Sequence, residues 1–339
     1  MISFASDNYA PAHPKVLEKL QLINTGHVPA YGADPYTNEA IELLRSLLDA
    51  PAAEVFFVFN GTGANVVAIS NVVNSWNSII CAETAHINVD EGGAPEKQLG
   101  TKLVDLKTPD GKLTPELIAP IFTRMGDQHT SQPNLISITQ STEMGTVYHP
   151  SEIKALADFA HKNSSFLHID GARISNAAVS LNKNFNKFIT EADVDLLSFG
   201  GTKNGLLGAE AVVVLNPDLA KNTPWIRKSS MQLASKHRYL SAQFLALFEN
   251  DLWKHNAAHA NSMASKLREL IKDNPKVKLT QATQANAVFA ILEKSSIEKL
   301  QKDFHFYVWN EHTNEVRWMC SWDTQPKDVE SFAAAINAL

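Results

Sequence analysis

Two stretches of the sequence place a reactive side chain just after an apolar run. Residues 194–199 predict a buried strand that continues into Gly-Gly-Thr-Lys-Asn-Gly at 200–205, which contains Lys203. Residues 165–169 predict a second strand. It is followed at 170–173 by Asp-Gly-Ala-Arg, whose first residue is Asp170. In open α/β sheets, ligands bind outside the carboxyl ends of the strands. An amine and a carboxylate at two such ends could therefore act on one ligand.

This pair of residues suits pyridoxal phosphate (PLP). A lysine can form a Schiff base with the cofactor aldehyde, and a carboxylate can hold the pyridine nitrogen protonated so that the ring accepts electrons. Each residue also has a plainer interpretation. Most lysines in glycine-rich turns lie at the surface, and Asp170 could cap a helix whose first turn contains Arg173. Taken together, Lys203 and Asp170 favour the cofactor.

A third stretch could bind the phosphate of such a cofactor. Residues 55–59 predict an apolar strand, followed by Asn-Gly-Thr-Gly-Ala-Asn at 60–65 and a helix predicted over 66–76. Glycines let the backbone approach an anion where a helix N-terminus offers free N–H groups. The residues that would contact the phosphate are Gly61, Thr62 and Gly63. A plain tight turn would use the same glycines. The stretch is not a dinucleotide fingerprint, since Val66 stands at the third glycine position.

One arginine is a candidate for binding a substrate carboxylate. Arg317 lies inside an apolar run, 315–321, that predicts a strand. A guanidinium can hold a carboxylate through two parallel hydrogen bonds. A buried arginine without a partner would be costly. The alternative is a structural salt bridge within the protein.

With these motifs the chain resembles the low-specificity L-threonine aldolases, in the β-eliminating lyase group of fold-type-I PLP enzymes. The resemblance covers nearly the whole chain and also includes residues 4–9, 30–32, 59–65, 83–86 and 319–322. It implies an α/β fold, with a mostly parallel sheet in a large PLP-binding domain and a smaller α+β C-terminal domain. It also implies a homo-oligomer, either a dimer or a tetramer, whose active sites are shared between chains.

The resemblance implies a reaction as well. L-Threonine, L-allo-threonine and phenylserine-like L-3-hydroxy-amino acids would be cleaved to glycine and an aldehyde. Gln140 replaces an acidic residue of many members, and residues 200–203 depart from a commoner Ser-Lys-Gly pattern. Both departures fit the subset that cleaves phenylserine. Two alternatives remain: a β-eliminating lyase that releases pyruvate and ammonia from another amino acid, and a PLP-fold sensor without turnover.

The same resemblance assigns roles to individual residues. The implied catalytic groups are Lys203, Asp170, His86, which would stack on the cofactor ring, and His129, which would contact the substrate hydroxyl. The implied cofactor ligands are Gly61, Thr62, Gly63, His86, Asp170, Arg173 and Lys203, with Lys228 and Arg238 reaching the phosphate of the partner subunit. The implied substrate ligands are Ser6, Asp7, Tyr31 and Arg317. Plainer interpretations remain. Ser6 and Asp7 could form a turn in a surface arm, Tyr31 could be a packing residue, and Lys228 and Arg238 could belong to a solvated basic face.

The order of the predicted elements supplies a scaffold for these residues. From 55 to 203, short apolar runs alternate with helical patterns, which is typical of an α/β sheet. Residues 210–215 predict one more strand, antiparallel to its predecessor because only a tight turn separates them. Residues 239–271 predict a long helix with a kink near Asn256. The expected units are an N-terminal arm at 1–15, where two prolines argue against a helix, a large domain at 16–250 and a small domain at 251–339.

The composition excludes several other classes of protein. The chain has 339 residues, of which 44% are hydrophobic and 19% charged, and its net charge is −6. It has no long basic run, which argues against nucleic acid or an anionic membrane as the main partner. Cys81 and Cys320 both fall in predicted strands, which suits a reducing compartment. There is no signal-peptide pattern, no run of ~20 apolar residues and no metal-ligand spacing. We expect a cytoplasmic enzyme without a metal.

Overall fold

Residues 2–339 are described by a computed structural model, and their strands form three sheets. The short strand β1 (Ile2–Ser3) belongs to a two-stranded pair. The largest sheet contains β2 (Glu54–Val58), β3 (Asn77–Ala82), β4 (Lys102–Leu106), β5 (Gln132–Thr139), β6 (Phe166–Gly171), β7 (Leu196–Gly200) and β8 (Glu210–Val214). Their order is β2-β8-β7-β6-β5-β3-β4. Strands β7, β6, β5, β3 and β4 pair in parallel, whereas β8 runs antiparallel to both β2 and β7.

The central parallel strands are mostly apolar and buried, and both faces of the sheet are covered. Every residue of β3 and β7 is buried. Ile80 and Phe199 belong to a core on one face, and Ile79 and Leu196 belong to a second core on the other. Parallel sheets are normally covered in this way. The carboxyl ends of the strands are therefore the exposed margin at which side chains can meet a ligand.

Helices cover the two faces. They are α1 (Pro14–Ile23), α2 (Pro35–Leu47), α3 (Gly61–Ile69), α4 (His86–Val89), α5 (Ala94–Leu99), α6 (Pro115–Ile118), α7 (Pro150–Lys162), α8 (Ile174–Leu181), α9 (Thr223–Ser229) and α10 (Arg238–Phe248). Short 3-10 turns occupy Asp7–Tyr9, Ala119–Arg124, Phe185–Lys187, Thr202–Asn204, Pro217–Asn222 and Glu249–Asp251. Side-chain hydrogen bonds cap the N-termini of several helices. At the start of α3, for example, Oδ1 of Asn60 accepts from the N–H of Gly63 at 2.7 Å. In residues 2–339, no helix is both long and apolar enough to cross a membrane.

The C-terminal part forms a smaller lobe around an antiparallel sheet. Helix α11 (Leu252–Ile271) leads into β9 (Lys278–Leu279), β10 (Ala287–Ile291), α12 (Lys294–Leu300), β11 (Phe304–His305), β12 (Tyr307–Asn310), β13 (Glu315–Met319) and α13 (Pro326–Asn337). The sheet order is β12-β13-β10-β9. The N-terminal segment joins this lobe, because β1 pairs in parallel with β11 and Phe4 lies in the core with Trp318 and Phe332.

The fold class predicted from the sequence is confirmed, and so is the antiparallel direction of β8. Three boundaries differ. The long helix breaks at Asn250 and Asp251, whose φ angles are 52° and 57°, and not near Asn256. Helix α3 spans Gly61–Ile69 instead of 66–76, because the Asn60 cap starts it earlier. Helix α1 begins at Pro14, since proline is well tolerated in the first turn.

Candidate active site

A pocket opens at the carboxyl ends of β6 and β7, beside the N-terminus of α3. Residues from five parts of the chain line it, among them Thr62, His86, Asp170, Ser198, Lys203 and Glu210. Strands β6 and β7 are parallel neighbours, with Asp170 opposite Ser198 in the register. The carboxylate and the amine singled out in the sequence are thus brought to one pocket.

Asp170 is buried and held by two donors. Its Oδ2 accepts from Nδ2 of Asn65 at 2.8 Å, and its Oδ1 accepts from the backbone N–H of Ala172 at 2.9 Å. Only 6% of the residue is exposed. These contacts fix the direction of the carboxylate at the end of its strand. Such a carboxylate could bind a protonated ring nitrogen.

Lys203 lies in the 3-10 turn that follows β7. The turn is held by Glu210 at the start of β8, whose Oε2 accepts from the N–H of Gly201 at 2.7 Å. Burial lowers the pKa of Lys203, and the nearby positive charge of Arg173 lowers it further. A lower pKa increases the fraction of neutral amine, which is the form that attacks a carbonyl carbon.

The N-terminus of α3 forms an anion cradle. A Cβ atom added at Gly61 would meet no atom within 4 Å, whereas one added at Gly63 would lie 2.3 Å from Cδ of Gln232. The same Gln232 accepts from the N–H of Phe59 through its Oε1 at 3.0 Å. The backbone of this turn is therefore open to a ligand at Gly61 and covered by a polar side chain at Gly63. This arrangement fits the phosphate of PLP.

His86 is anchored by two acidic residues. Its Nδ1 lies 2.9 Å from Oε1 of Glu91, and its backbone N–H donates to Oε1 of Glu143 at 2.9 Å. The hydrogen bond with Glu91 raises the pKa of His86, while burial and the charge of Lys203 lower it. Burial raises the pKa of Glu143. The imidazole thus lines the pocket in a fixed position.

Arg173 and Asp7 are bound to each other. Nε and Nη2 of Arg173 donate to Oδ2 and Oδ1 of Asp7 at 2.7 and 2.9 Å. Burial alone would raise the pKa of Asp7, but Arg173 and Lys203 lower it to about 2. Asn286 of β10's preceding loop also donates to Asp7 at 3.0 Å. Because Asp7 is ionised and binds two nitrogens of Arg173, it fixes the orientation of this guanidinium, and Arg173 follows Ala172 of the pocket in the chain.

Arg317 is a buried, positively charged residue of the small lobe. It lies on β13, and its Nε is buried without a hydrogen-bond partner among residues 2–339. Its guanidinium carbon lies 4.8 Å from the centroid of the Trp309 ring. Burial lowers the pKa of Arg317 to about 10, and the charge of Arg173 adds to this. A carboxylate ligand would relieve the cost of burying this charge.

Other residues implicated by the sequence lie elsewhere in the chain. Ser6 accepts from the N–H of Asn8 and so caps the 3-10 turn after β1. Lys228 lies over the Tyr31 ring at 5.3 Å, and Arg238 donates to the carbonyl of Thr25 at 3.0 Å. His129 is exposed, and its N–H donates to Asp127. None of these side chains lines the pocket formed by residues 2–339.

Sequence analysis missed several residues that form the site. Glu91, Glu143, Ser198 and Glu210 all lie in or next to the pocket, as does Asn65, which the motif contained but to which we gave no role. Ser198 and Glu210 lie inside the predicted strands 194–199 and 210–215, and Glu143 follows β5 by four residues, but their positions gave no indication of a role in the pocket. Nothing in the spacing indicated that Glu91 reaches His86.

Comparisons with known proteins agree on one family. The chain matches the family model of the beta-eliminating lyases over residues 3–294. It is 41% identical to the low specificity L-threonine aldolase of Pseudomonas sp. (strain NCIMB 10558), over 99% of this chain and 97% of that protein. It is 42% identical to the low specificity L-threonine aldolase of Pseudomonas aeruginosa, over 98% and 96% of the two chains.

Solved structures show the same fold. A threonine aldolase from Leishmania major superposes with a TM-score of 0.94 at 29% identity, over 100% of this chain and 99% of that one. A putative L-allo-threonine aldolase from Listeria monocytogenes superposes with a TM-score of 0.75 at 16% identity, over 99% and 96%.

Proposed function

This chain belongs to the beta-eliminating lyase family, and we propose that it is a PLP-dependent aldehyde-lyase, a low-specificity L-threonine aldolase. It cleaves L-threonine and L-allo-threonine to glycine and acetaldehyde, and phenylserine to glycine and the corresponding aldehyde. The observation that supports this most strongly is the meeting of Lys203 and Asp170, from adjacent parallel strands, in a pocket beside the N-terminus of α3.

The residues of the pocket have complementary roles toward PLP. Lys203 would hold the cofactor covalently, Asp170 would keep the pyridine nitrogen protonated, and His86 would cover one face of the ring. The phosphate would bind at Gly61 and Thr62, which line the pocket, whereas the N–H of Gly63 already donates to Asn60. When bound, PLP supplies an electron sink for the electron pair left at Cα of the substrate. Arg173 keeps its predicted role toward the cofactor, with its orientation set by Asp7.

The protein groups then direct which bond of the substrate breaks. Arg317 would bind the substrate carboxylate and so fix the rotation about the bond from nitrogen to Cα. His86, which lines the pocket, would accept the proton of the β-hydroxyl. The Cα–Cβ bond breaks, the aldehyde leaves, and a proton added at Cα gives glycine. In this scheme His129 reads the hydroxyl only if another subunit supplies it.

One labelling experiment tests the cofactor assignment. Borohydride reduction of the holoenzyme followed by peptide mapping should place a pyridoxyl label on Lys203, because Lys203 is the amine that lines the pocket. Lys228, which lies over Tyr31, is the control lysine and should stay unlabelled. A label on Lys228 would contradict the assignment of Lys203 as the lysine that binds the cofactor. In parallel, L-threonine should yield glycine and acetaldehyde, whereas pyruvate and ammonia would indicate a β-eliminating lyase.

The assembly and the compartment also belong to the proposal. Enzymes of this family are typically oligomeric, and we place this chain in a homodimer or homotetramer. Lys228, Arg238 and Tyr31 then act on a neighbouring subunit's pocket, and Ser6 and Asp7 remain near their own. The cytoplasm is the proposed compartment, since Cys81 and Cys320 are both buried and unpaired. Burial raises the pKa of the Cys81 thiol to about 12, which keeps it unreactive.

A further inference from the structure

A chain of hydrogen bonds runs behind the pocket from His86 to Asp170. Oε1 of Glu91 lies 2.9 Å from Nδ1 of His86 and accepts from Nδ2 of Asn65 at 2.8 Å. The same amide nitrogen of Asn65 donates to Oδ2 of Asp170 at 2.8 Å. Glu91, Asn65 and Asp170 are exposed by only 8%, 1% and 6%. The chain therefore connects two groups of the site entirely through buried atoms.

We propose that Glu91 is a positioning residue that keeps the proton of His86 on Nδ1, and that Asn65 holds Glu91 and Asp170 in place by bridging them. The inference rests on the proposed function only for the role of His86 in catalysis. A carboxylate without a proton can only accept, so it requires a donor at Nδ1. In the neutral imidazole, Nε2 is then the acceptor. This is the tautomer that can take a proton from a substrate hydroxyl.

Asn65 has the two donors that this arrangement needs. Two buried carboxylates repel each other, and each has lost its hydration. The amide of Asn65 carries two hydrogens, and one goes to each carboxylate. Its own Oδ1 and the Oε2 of Glu91 are buried without a partner among residues 2–339. The amide is therefore oriented by the two carboxylates and by no other group.

Charged groups from four parts of the fold face His86. Glu91 lies at Nδ1, and Glu143, which follows β5, accepts from the backbone N–H. Asp170 at the end of β6 and Lys203 after β7 act through space. The Glu91 hydrogen bond makes the largest contribution to the raised pKa of His86. Replacing Glu91 should therefore lower the pKa of His86, since only Asp170 then acts against burial and the charge of Lys203.

A histidine titration tests the inference without measuring turnover. In holoenzyme labelled with ¹³C-histidine, the Cε1–H signals are followed by NMR from pH 5 to 9, over a range that brackets the ordinary histidine pKa of about 6.5. In Glu91→Gln, the pKa of His86 should fall, because the hydrogen bond that contributes most to raising it is weakened. His161, which pairs with Asp195 at 2.9 Å on another face, is the internal control and should not move. An unchanged His86 pKa in Glu91→Gln overturns the inference.

A folding check and one more variant of Glu91 keep the test decisive. His168 is fully buried, and burial lowers its pKa to about 4, so its signal should stay neutral in a folded variant. If the His168 signal shows that Glu91→Gln is not folded, the titration is repeated with Glu91→Asp. The shorter side chain keeps the carboxylate but no longer reaches Nδ1 of His86. A fall in the His86 pKa supports the inference, and no fall overturns it.

Asn65→Ala tests the bridge separately. The variant loses the hydrogen bonds to both Glu91 and Asp170. Because Asp170 is then no longer held, PLP binding should weaken about tenfold or more, measured by dialysis of the holoenzyme. An unchanged dissociation constant for PLP would show that Asn65 does not hold Asp170 in place. A wild-type protein that releases no glycine from L-threonine would defeat the proposed function, but it would leave both of these readouts intact.

Discussion

At the scale of single residues, the site is built from charges that have been removed from water. Arg173 and Asp7 neutralise each other through two hydrogen bonds. Glu91 and Asp170 share the amide of Asn65. Arg317 has no such partner at its buried Nε among residues 2–339. This difference is the reason we propose Arg317 as the cation that the substrate carboxylate neutralises.

Arg317→Ala should raise the KM for L-threonine about 100-fold, because a charge-assisted pair of hydrogen bonds is lost. Arg317→Lys should lie between the variant and the wild type, since an ammonium keeps the charge but not the fork. Steady-state kinetics measure both. The matched control is Arg268→Ala in the same lobe, whose guanidinium donates to the carbonyl of Gln281. A KM within twofold of the wild type in Arg317→Ala would exclude the assigned role.

Glu210 gives a prediction about stability and pH. Burial raises its pKa to about 7, against an ordinary value of 4.5, although Gly201 and Lys203 act in the opposite direction. An acid whose folded pKa is raised contributes stability below its unfolded pKa, and this contribution is lost as the pH rises through about 7. Glu210→Gln keeps an oxygen for the N–H of Gly201 but does not titrate.

The apoprotein of Glu210→Gln should therefore gain stability relative to wild type between pH 5 and pH 8, by on the order of 2 kcal/mol. Urea unfolding at the two values of pH measures the difference. Glu298→Gln, at an exposed position on α12, is the control and should show no such change. A difference between Glu210→Gln and wild type that is the same at both pH values would contradict the interpretation.

At the scale of elements, the turn between β7 and β8 positions Lys203, the proposed cofactor lysine. A Cβ atom at Gly201 would lie 2.4 Å from Cδ1 of Leu206 and 2.8 Å from the carbonyl oxygen of Ala209. The N–H of Gly201 is also bound by Glu210. The backbone therefore passes too close to its own return strand for any side chain. Lys203 follows two residues later and depends on this path.

Gly201→Ala should lower the free energy of unfolding by about 1–3 kcal/mol, the usual cost of forcing extra atoms into a packed site. It should also reduce the fraction of protein that retains PLP, because Lys203 is displaced. Gly208→Ala is the matched control in the same connection, since its nearest neighbour would lie 4.0 Å away. Equal stabilities of the two variants would show that the turn has more room than the structure indicates.

The sequence predicted those strands that have a residue of the site at or next to one end. Strands β6 and β7 are apolar runs that lead into Asp170 and the Lys203 turn, and β8 is an apolar run that begins at Glu210, so local pattern was enough. The break between α10 and α11 was misplaced, because Asn250 and Asp251 adopt left-handed conformations inside a pattern that remains helical on both sides. The contacts of Glu91 with His86 and of Asp7 with Arg173 depend on how the sheet brings distant segments together, so no local spacing contained them.

At the scale of the whole molecule, the N-terminal segment connects the two lobes across the pocket. Phe4 packs in the core of the small lobe, and three residues later Asp7 binds Arg173, just beyond β6 of the large one. Asn286 of the small lobe donates to the same carboxylate at 3.0 Å. The division into an arm at 1–15, a large domain at 16–250 and a small domain at 251–339 stays a prediction. The contacts of Asp7 indicate that the arm fixes the distance between Lys203 on one lobe and Arg317 on the other.

This distance leads to the last prediction, which concerns stereochemistry. If Lys203 lies on one face of the bound cofactor and Arg317 anchors the substrate carboxylate, only one configuration at Cα can bring the Cα–Cβ bond perpendicular to the ring. Misorientation of a reacting bond reduces the rate steeply. The configuration at Cβ is read less strictly, because only a side chain such as His86 or His129 is available to contact the hydroxyl.

We therefore expect L-threonine and L-allo-threonine both to be cleaved, and D-threonine and D-allo-threonine to be inert. Acetaldehyde release from the four stereoisomers, assayed separately, measures this. Phenylserine provides a second L-substrate with a different side chain and should also be cleaved. Selectivity at Cα and tolerance at Cβ have different structural origins, so the two can fail independently. Comparable rates on D-threonine would mean that Arg317 does not fix the substrate carboxylate relative to Lys203, and the proposed anchoring would have to be abandoned.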